Sequence, residues 1–378
     1  MKILVSMDSF KGTLSSREAG NAVKEGILSV HPDAEVIVRE LADGGEGTVK
    51  ALSRDSSVWV HRTVQDPLGR PVEASWLVNG GTAIMECASA AGLYLLTKVE
   101  RNPERASAYG LGEMIRYAVE DGIRSFVIGI GGSATNDCGA GMLSALGWRF
   151  LDESGEEAEP SCLGLQRTVS VDLSGAMSEL KDCTFRIACD VNNPLCGENG
   201  ASAVFGPQKG ADPAMVERMD RTLKHFAAML EQYCPGCSPD DPGSGAAGGL
   251  GFAFRACLNA ELVPGAQLIM QESGMVDDIR DADLIITGEG RMDAQTAMGK
   301  APAALALLAN QYSKPVIALN GSMSPGAGSG LFLMCLSTVD EHTPKEEIMD
   351  PRCARDRVVR TAAGIARSFD DQNNCSRV

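Results

Sequence analysis

Acidic side chains recur just after short apolar runs in this sequence, and glycine stands beside most of them. Residues 3–5 lead into Ser6-Met7-Asp8-Ser9-Phe10-Lys11-Gly12-Thr13, and residues 36–38 run on to Ala42-Asp43-Gly44-Gly45-Glu46-Gly47-Thr48. Ile187 is followed by Ala188-Cys189-Asp190, and residues 284–286 by Thr287-Gly288-Glu289-Gly290-Arg291-Met292-Asp293. One acid in such a place is usually the cap of the next helix. Four strand ends of the same kind point to a shared cleft, because in open α/β sheets ligands bind outside the carboxyl ends of the strands. Carboxylates, glycines and few cations suit phosphoryl transfer: magnesium takes carboxylate and phosphate oxygens, glycines and a lysine hold a polyphosphate, and one carboxylate accepts the proton of the acceptor hydroxyl.

A second Gly-rich stretch follows the apolar residues 126–130: Gly131-Gly132-Ser133-Ala134-Thr135-Asn136-Asp137-Cys138-Gly139. Small residues let the backbone approach an anion, and Ser133, Thr135 and Asn136 add donors, so the stretch reads as a phosphate or carboxylate cradle. Other motifs fail on context. Gly243-Ser244-Gly245-Ala246-Ala247-Gly248 follows Asp240-Asp241-Pro242 rather than a strand, so it is not read as a dinucleotide fingerprint. Taken alone, residues 235–251 read as a surface loop or a functional one. Gly299-Lys300 lacks the surroundings of a P-loop. The histidines at 31, 61, 225 and 342 share no spacing that would make a zinc site or a catalytic triad. Cys234-Pro235-Gly236-Cys237 has no second half to complete a metal or redox site.

The elements that must position these residues alternate. A strand at residues 3–5, a helix at about 15–30, a strand at 35–38 and a helix from near residue 45 form two βα units, which predict a parallel sheet. Strands at 284–286, 316–319 and 331–336, with an Ala/Leu helix at 301–311, repeat that pattern late in the chain. Between them, residues 59–64, 72–78 and 83–86 read as antiparallel strands. The expected fold is therefore α/β: a discontinuous, doubly wound, Rossmann-like parallel-sheet domain from both chain ends (1–70 and 275–378). It carries an inserted domain of α+β character (71–274).

Composition narrows the partners. The 378 residues carry a net charge of −16, which argues against nucleic-acid or anionic-membrane surfaces. No apolar run approaches the ~20 residues of a membrane span. The opening MKILVSMDSF is cut by Asp8 and does not read as a secretory signal, so the 12 cysteines are expected to be reduced cytoplasmic thiols.

Seven blocks together resemble the bacterial glycerate kinase family of the glycerate 2-kinase type: DSFKGTLS at 8–15, ADGGEGT at 42–48, GIGGSATND at 129–137, CDVNNPL at 189–195, FGPQKGA at 205–211, GSGAAGGLG at 243–251 and TGEGRMDAQTAMGKAP at 287–302. The resemblance implies ATP- and Mg²⁺-dependent phosphorylation of D-glycerate, most simply at the 2-hydroxyl, by a monomer or homodimer with an inter-domain active-site cleft. One position departs from the family pattern, with Cys138 standing where glycine is expected. Lys11 is read as a cation for substrate or phosphate, and Asp190 and Asp293 compete for the roles of general base and magnesium ligand. Arg291 is read as a fork for the substrate carboxylate or for phosphate charge. Asp8, Ser9, Asp43, Gly44, Glu46 and Glu289 are placed along the cleft wall. Gly131, Gly132, Ser133, Asn136 and Asp137 form the cradle, with Lys209 as a second phosphate cation. Two rivals stay open at this stage: a nicotinamide-dependent hydroxy-acid oxidoreductase, and a non-catalytic sensor of a small acid.

Overall fold

The structure is a computed structural model that describes residues 1–41, 47–53, 56–236, 238–293, 301–328, 330–340 and 342–375. Asp43, Gly44 and Glu46 of the expected cleft wall, and Cys237, lie outside the described residues. In chain order the strands are β1 (Lys2–Met7), β2 (Glu35–Val38), β3 (Val58–Gln65), β4 (Pro71–Asn79), β5 (Thr82–Glu86), β6 (Ser125–Gly129), β7 (Arg149–Leu151), β8 (Ser170–Asp172), β9 (Thr184–Ala188) and β10 (Glu261–Val263). They continue with β11 (Leu284–Gly288), β12 (Arg291–Met292), β13 (Val316–Asn320), β14 (Ser322–Met323) and β15 (Met334–Ser337). The chain divides into two compact units, residues 1–43 with 266–378, and residues 44–265.

The first unit holds a five-stranded sheet in the order β2-β1-β11-β13-β15, parallel throughout. Its central strands are buried on both faces, which is why they read as continuous apolar runs. Ile3, Val5 and Met7 pack with Ala19, Val23 and Ile27 of the Ser16–Leu28 helix and with Val358 and Ala362 of the Pro351–Cys375 helix. Leu4 and Ile285 face the other way, toward Met270, Ile279, Leu305 and Ala306. Each such fully buried aliphatic side chain contributes about 1.5–3 kcal/mol. Ser15 starts the first helix through a reciprocal cap, its hydroxyl accepting from the Glu18 amide while the Glu18 carboxylate accepts from the Ser15 amide. Gly26 lets that helix meet the last one, since a Cβ there would lie 2.3 Å from the Val359 carbonyl oxygen.

The second unit is built on a six-stranded sheet in the order β10-β9-β6-β5-β4-β3. Strands β3, β4 and β5 pair antiparallel, while β5, β6, β9 and β10 run parallel. Its core includes Trp76, Phe126, Phe185 and Phe254, with the rings of Phe126 and Phe185 stacked 4.8 Å apart. The division falls earlier than the 70 and 275 drawn from the sequence, for two physical reasons. Strand β3 pairs along its whole length with β4, from Val58↔Val78 to Gln65↔Pro71. Ala266 and Met270, on the Gly265–Glu272 helix, pack into the core beneath Leu4 and Ile285. The helix expected from near residue 45 is a single turn, Thr48–Ala51. No helix among the described residues is long and apolar enough to cross a membrane.

Candidate active site

The order β2-β1-β11 places neighbours on opposite sides of β1, which makes the β1/β11 junction the topological switch point of the first sheet. A cavity of about 410 Å³ opens there, lined by Asp8, Ser9, Lys11, Glu289, Arg291 and Asp293 among others. The structure thus brings together the two loops that the sequence marked after residues 3–5 and 284–286.

Local chemistry explains the placement. The Thr13 amide donates to the Phe10 carbonyl at 2.8 Å, and Gly12 has φ +83°, so residues 10–13 form a turn whose third position requires glycine. Lys11 sits exposed at the tip of that turn. The Asp8 amide donates to the Gly288 carbonyl at 2.8 Å, tying the two loops together at their roots. Gly288 cannot be replaced in place, since a Cβ would meet the Leu319 carbonyl oxygen at 1.8 Å. Beyond it, Glu289 is 6% exposed and its amide donates to the Asn320 side-chain oxygen at 3.1 Å. Arg291 is then fixed by the short parallel pairing of β12 with β14, Arg291↔Ser322.

The remaining described residues of the expected site lie in the second unit, where several of their side chains face inward. Gly131 and Gly132 are exposed, but Ser133, Asn136 and Asp137 turn inward. Asp137 accepts from the backbone amides of Ala108 at 2.8 Å and of Gly139 and Gly141, each at 3.1 Å. Burial pushes its carboxyl above the ordinary range against the pull of those bonds. Asn136 donates to the Ser202 hydroxyl at 2.9 Å. Lys209, expected as an accessible phosphate cation, is 3% exposed and donates to Ser133 Oγ at 3.0 Å and the Thr135 carbonyl at 2.7 Å. Burial pulls its ammonium down to about 8. These side chains therefore brace the loop from within, because a tight Gly-rich turn leaves buried backbone groups that need partners.

Residues 243–251 are part of the same packing rather than a surface loop. The Cys138 amide donates to the Gly248 carbonyl at 3.0 Å, and a Cβ on Gly249 would lie 2.7 Å from the Cys138 Cα. Cys138 itself has φ +51°, the left-handed conformation that favours glycine. Asp190 follows β9 and is exposed, with its Oδ1 accepting from the Gly265 amide at 2.8 Å.

Sequence reasoning missed Ser322, Thr338, Met349 and Arg357, all of which line the first-unit cavity. Ser322 and Thr338 lie just past β13 and β15, so the same strand-end rule reaches them; Arg357 sits inside a helix and carries no local signal. Among the described residues no group of three or more His, Cys, Asp or Glu side chains gathers as a metal cage. The cavity's Asp8 and Asp293 carboxylates are donors of the kind magnesium takes, one or two carboxylates plus substrate phosphates.

A model of the glycerate kinase family matches residues 3–370. The chain is 44% identical over 331 residues to glycerate 2-kinase of Escherichia coli (strain K12), covering 87% of each chain. It is 42% identical over 376 residues to glycerate kinase of Bacillus subtilis (strain 168), covering 98% of each. A crystal structure of a protein assigned as glycerate kinase 2 in Salmonella typhimurium LT2 superposes with a TM-score of 0.88 at 39% identity, over 99% of both chains. With the family pattern matched along nearly its whole length, and the fold shared with that structure, this chain belongs to the glycerate kinase family.

Proposed function

We propose that the protein transfers the γ-phosphoryl group of ATP to the 2-hydroxyl of D-glycerate, giving 2-phospho-D-glycerate, with Mg²⁺ as cofactor. The observation that carries the reading is the first-unit cavity, which combines Asp8, Glu289 and Asp293 with Lys11 and Arg291 at a sheet's switch point, in a chain of this family. Among the described residues neither Lys11 nor Arg291 is paired with a carboxylate, and both are exposed. They are thus available to a carboxylate or phosphate.

In this reading Arg291 holds the glycerate carboxylate through its planar fork, and Lys11, at the tip of its turn, holds a phosphate oxygen. Asp8 and Ser9 bind the acceptor's hydroxyls. Asp293 and Asp190 are the proposed general base and magnesium ligand, and Asp293 is the one that shares the cavity with both cations. A carboxylate suffices as base because a loose phosphoryl transition state needs little early proton removal. Bound Mg²⁺ would neutralise charge on the phosphoryl oxygens.

The test is incubation with ATP, Mg²⁺ and D-glycerate, followed by phosphorus and proton NMR of the product. A phosphate on C2 is expected. A phosphate on C3 would overturn the regiochemistry alone, and absence of glycerate-dependent ADP release would overturn the activity.

A further inference from the structure

Arg357 lies in the second turn of the Pro351–Cys375 helix, 7% exposed. Its Nη1 donates to the Glu347 carbonyl at 3.0 Å and its Nη2 to the Ile348 carbonyl at 3.2 Å, the last carbonyls of the short Lys345–Ile348 helix. Among the described residues its Nε has no hydrogen-bond partner. Ile348, Met349, Ala354 and Arg357 all line the 410 Å³ cavity, so the corner between these two helices is one of its walls. Among the described residues no carboxylate pairs with Arg357, nor with Lys11 or Arg291 across the same cavity.

Bonding two helix-end carbonyls does not require a charge, since a neutral amide supplies the same donors. A guanidinium removed from water and given only carbonyl dipoles is poorly compensated. In a chain of net charge −16 it would be simple to pair it with an acid, yet among the described residues none forms an ion pair with it.

We propose that Arg357 holds fixed positive charge for an oxyanion bound in this cavity. It acts as a positioning residue that makes the helix corner complementary to a carboxylate or phosphate. The identity of that oxyanion as the glycerate carboxylate or a nucleotide phosphate rests on the kinase reading above, whereas the requirement for an oxyanion does not.

Calorimetric titration of wild type, Arg357→Gln and Arg357→Lys with inorganic phosphate, D-glycerate and ADP tests this, alongside melting temperatures without ligand. Arg357→Gln is expected to weaken at least one of the three by about tenfold. Its ligand-free melting temperature is expected to stay level or rise, and Arg357→Lys to recover most of the affinity. Which ligand loses affinity distinguishes the acceptor's carboxylate from the donor's phosphates. In steady state the Michaelis constant for the corresponding substrate, D-glycerate or ATP, should rise while kcat stays within about threefold. If all affinities in Arg357→Gln stay within twofold of wild type, Arg357 only pins the helix corner and the proposal fails. Should Arg357→Gln not fold, a loss of affinity in folded Arg357→Lys as large as tenfold would overturn the role of charge. Phosphate binding that depends on Arg357, in a protein that makes no phosphoglycerate, would sink the kinase reading and leave this assignment standing. Wild type that binds none of the three would sink the assignment itself.

Discussion

Lys209 closes the Gly-rich loop from its buried side by donating to Ser133 Oγ at 3.0 Å, across 76 positions of sequence. With its ammonium pulled from 10.5 to about 8 by burial, this lysine gives the fold a titration of its own. Between those values the unfolded chain holds a proton that the folded chain has released, so the contribution of Lys209 to stability rises with pH. Below about 8, where both states are protonated, the pH dependence is absent and the full cost of burying the ammonium remains. Wild type is therefore expected to gain on Lys209→Met by about 1 kcal/mol per pH unit from pH 8 to 10. Denaturant melts at several pH values read this directly, and a constant difference would mean that the lysine stays charged in the fold.

Asp137 gathers three backbone amides, those of Ala108, Gly139 and Gly141. Asp137→Ala strands all of them in a buried site, at about 1 kcal/mol or more for each. A loss of roughly 3 kcal/mol in urea unfolding is expected, with Asp137→Asn intermediate because one side-chain oxygen survives. A loss below about 1 kcal/mol would show that water satisfies these groups.

The assigned chemistry makes a separate demand. Asp293→Asn and Asp190→Asn should each lower kcat by about a hundredfold or more at saturating Mg²⁺. If either keeps turnover within tenfold of wild type, that residue is neither the base nor an essential metal ligand. Lys11→Ala should raise the Michaelis constant for ATP or for glycerate by about tenfold, and unchanged constants would remove its assigned contact.

Gly288→Ala places a methyl group against the Leu319 carbonyl. Backbone cannot yield as a flexible side chain does, so thermal unfolding should show destabilisation of about 3 kcal/mol. A change under about 1 kcal/mol would mean that β11 and β13 can part without cost.

Cys138 offers a comparison of two small residues at φ +51°. Cys138→Gly and Cys138→Ala both delete the thiol, but only glycine relieves the left-handed backbone. The glycine variant should be the more stable of the two by about 1 kcal/mol. Equal melting points would show that the conformation carries no strain.

Much of the first unit was legible because its physics is local. Strands buried on both faces leave apolar runs, as in residues 284–286, and the Ala/Leu pattern of 301–311 coincides with the observed Ala301–Gln311 helix. The acids after β1 and β11 could be found because strand ends in parallel sheets converge. What could not be read was direction. Ser133, Asn136, Asp137 and Lys209 have the residue types of an anion cradle, yet spacing says nothing about whether a loop's polar groups face a ligand or its own backbone. Arg357 was hidden for the opposite reason: its place in the cavity is set by how a distant helix folds back, and an arginine within a helix looks like any solvated one.

The register Ile3↔Leu284 carries a consequence for how the protein is made. A ribosome completes β1 about 280 residues before the strand that flanks it on the β11 side, while every strand of residues 44–265 emerges in between. Domains generally fold as units during synthesis. The second unit can therefore close while β1 and β2 wait with one edge unpaired and their apolar faces uncovered, the condition that favours wrong pairing with other chains. The cavity that holds Asp8 and Lys11 is complete only when the segment bearing Glu289, Arg291 and Arg357 arrives, so a nascent chain stopped short of the last helix would own a finished second unit and a cavity without its Arg357 wall.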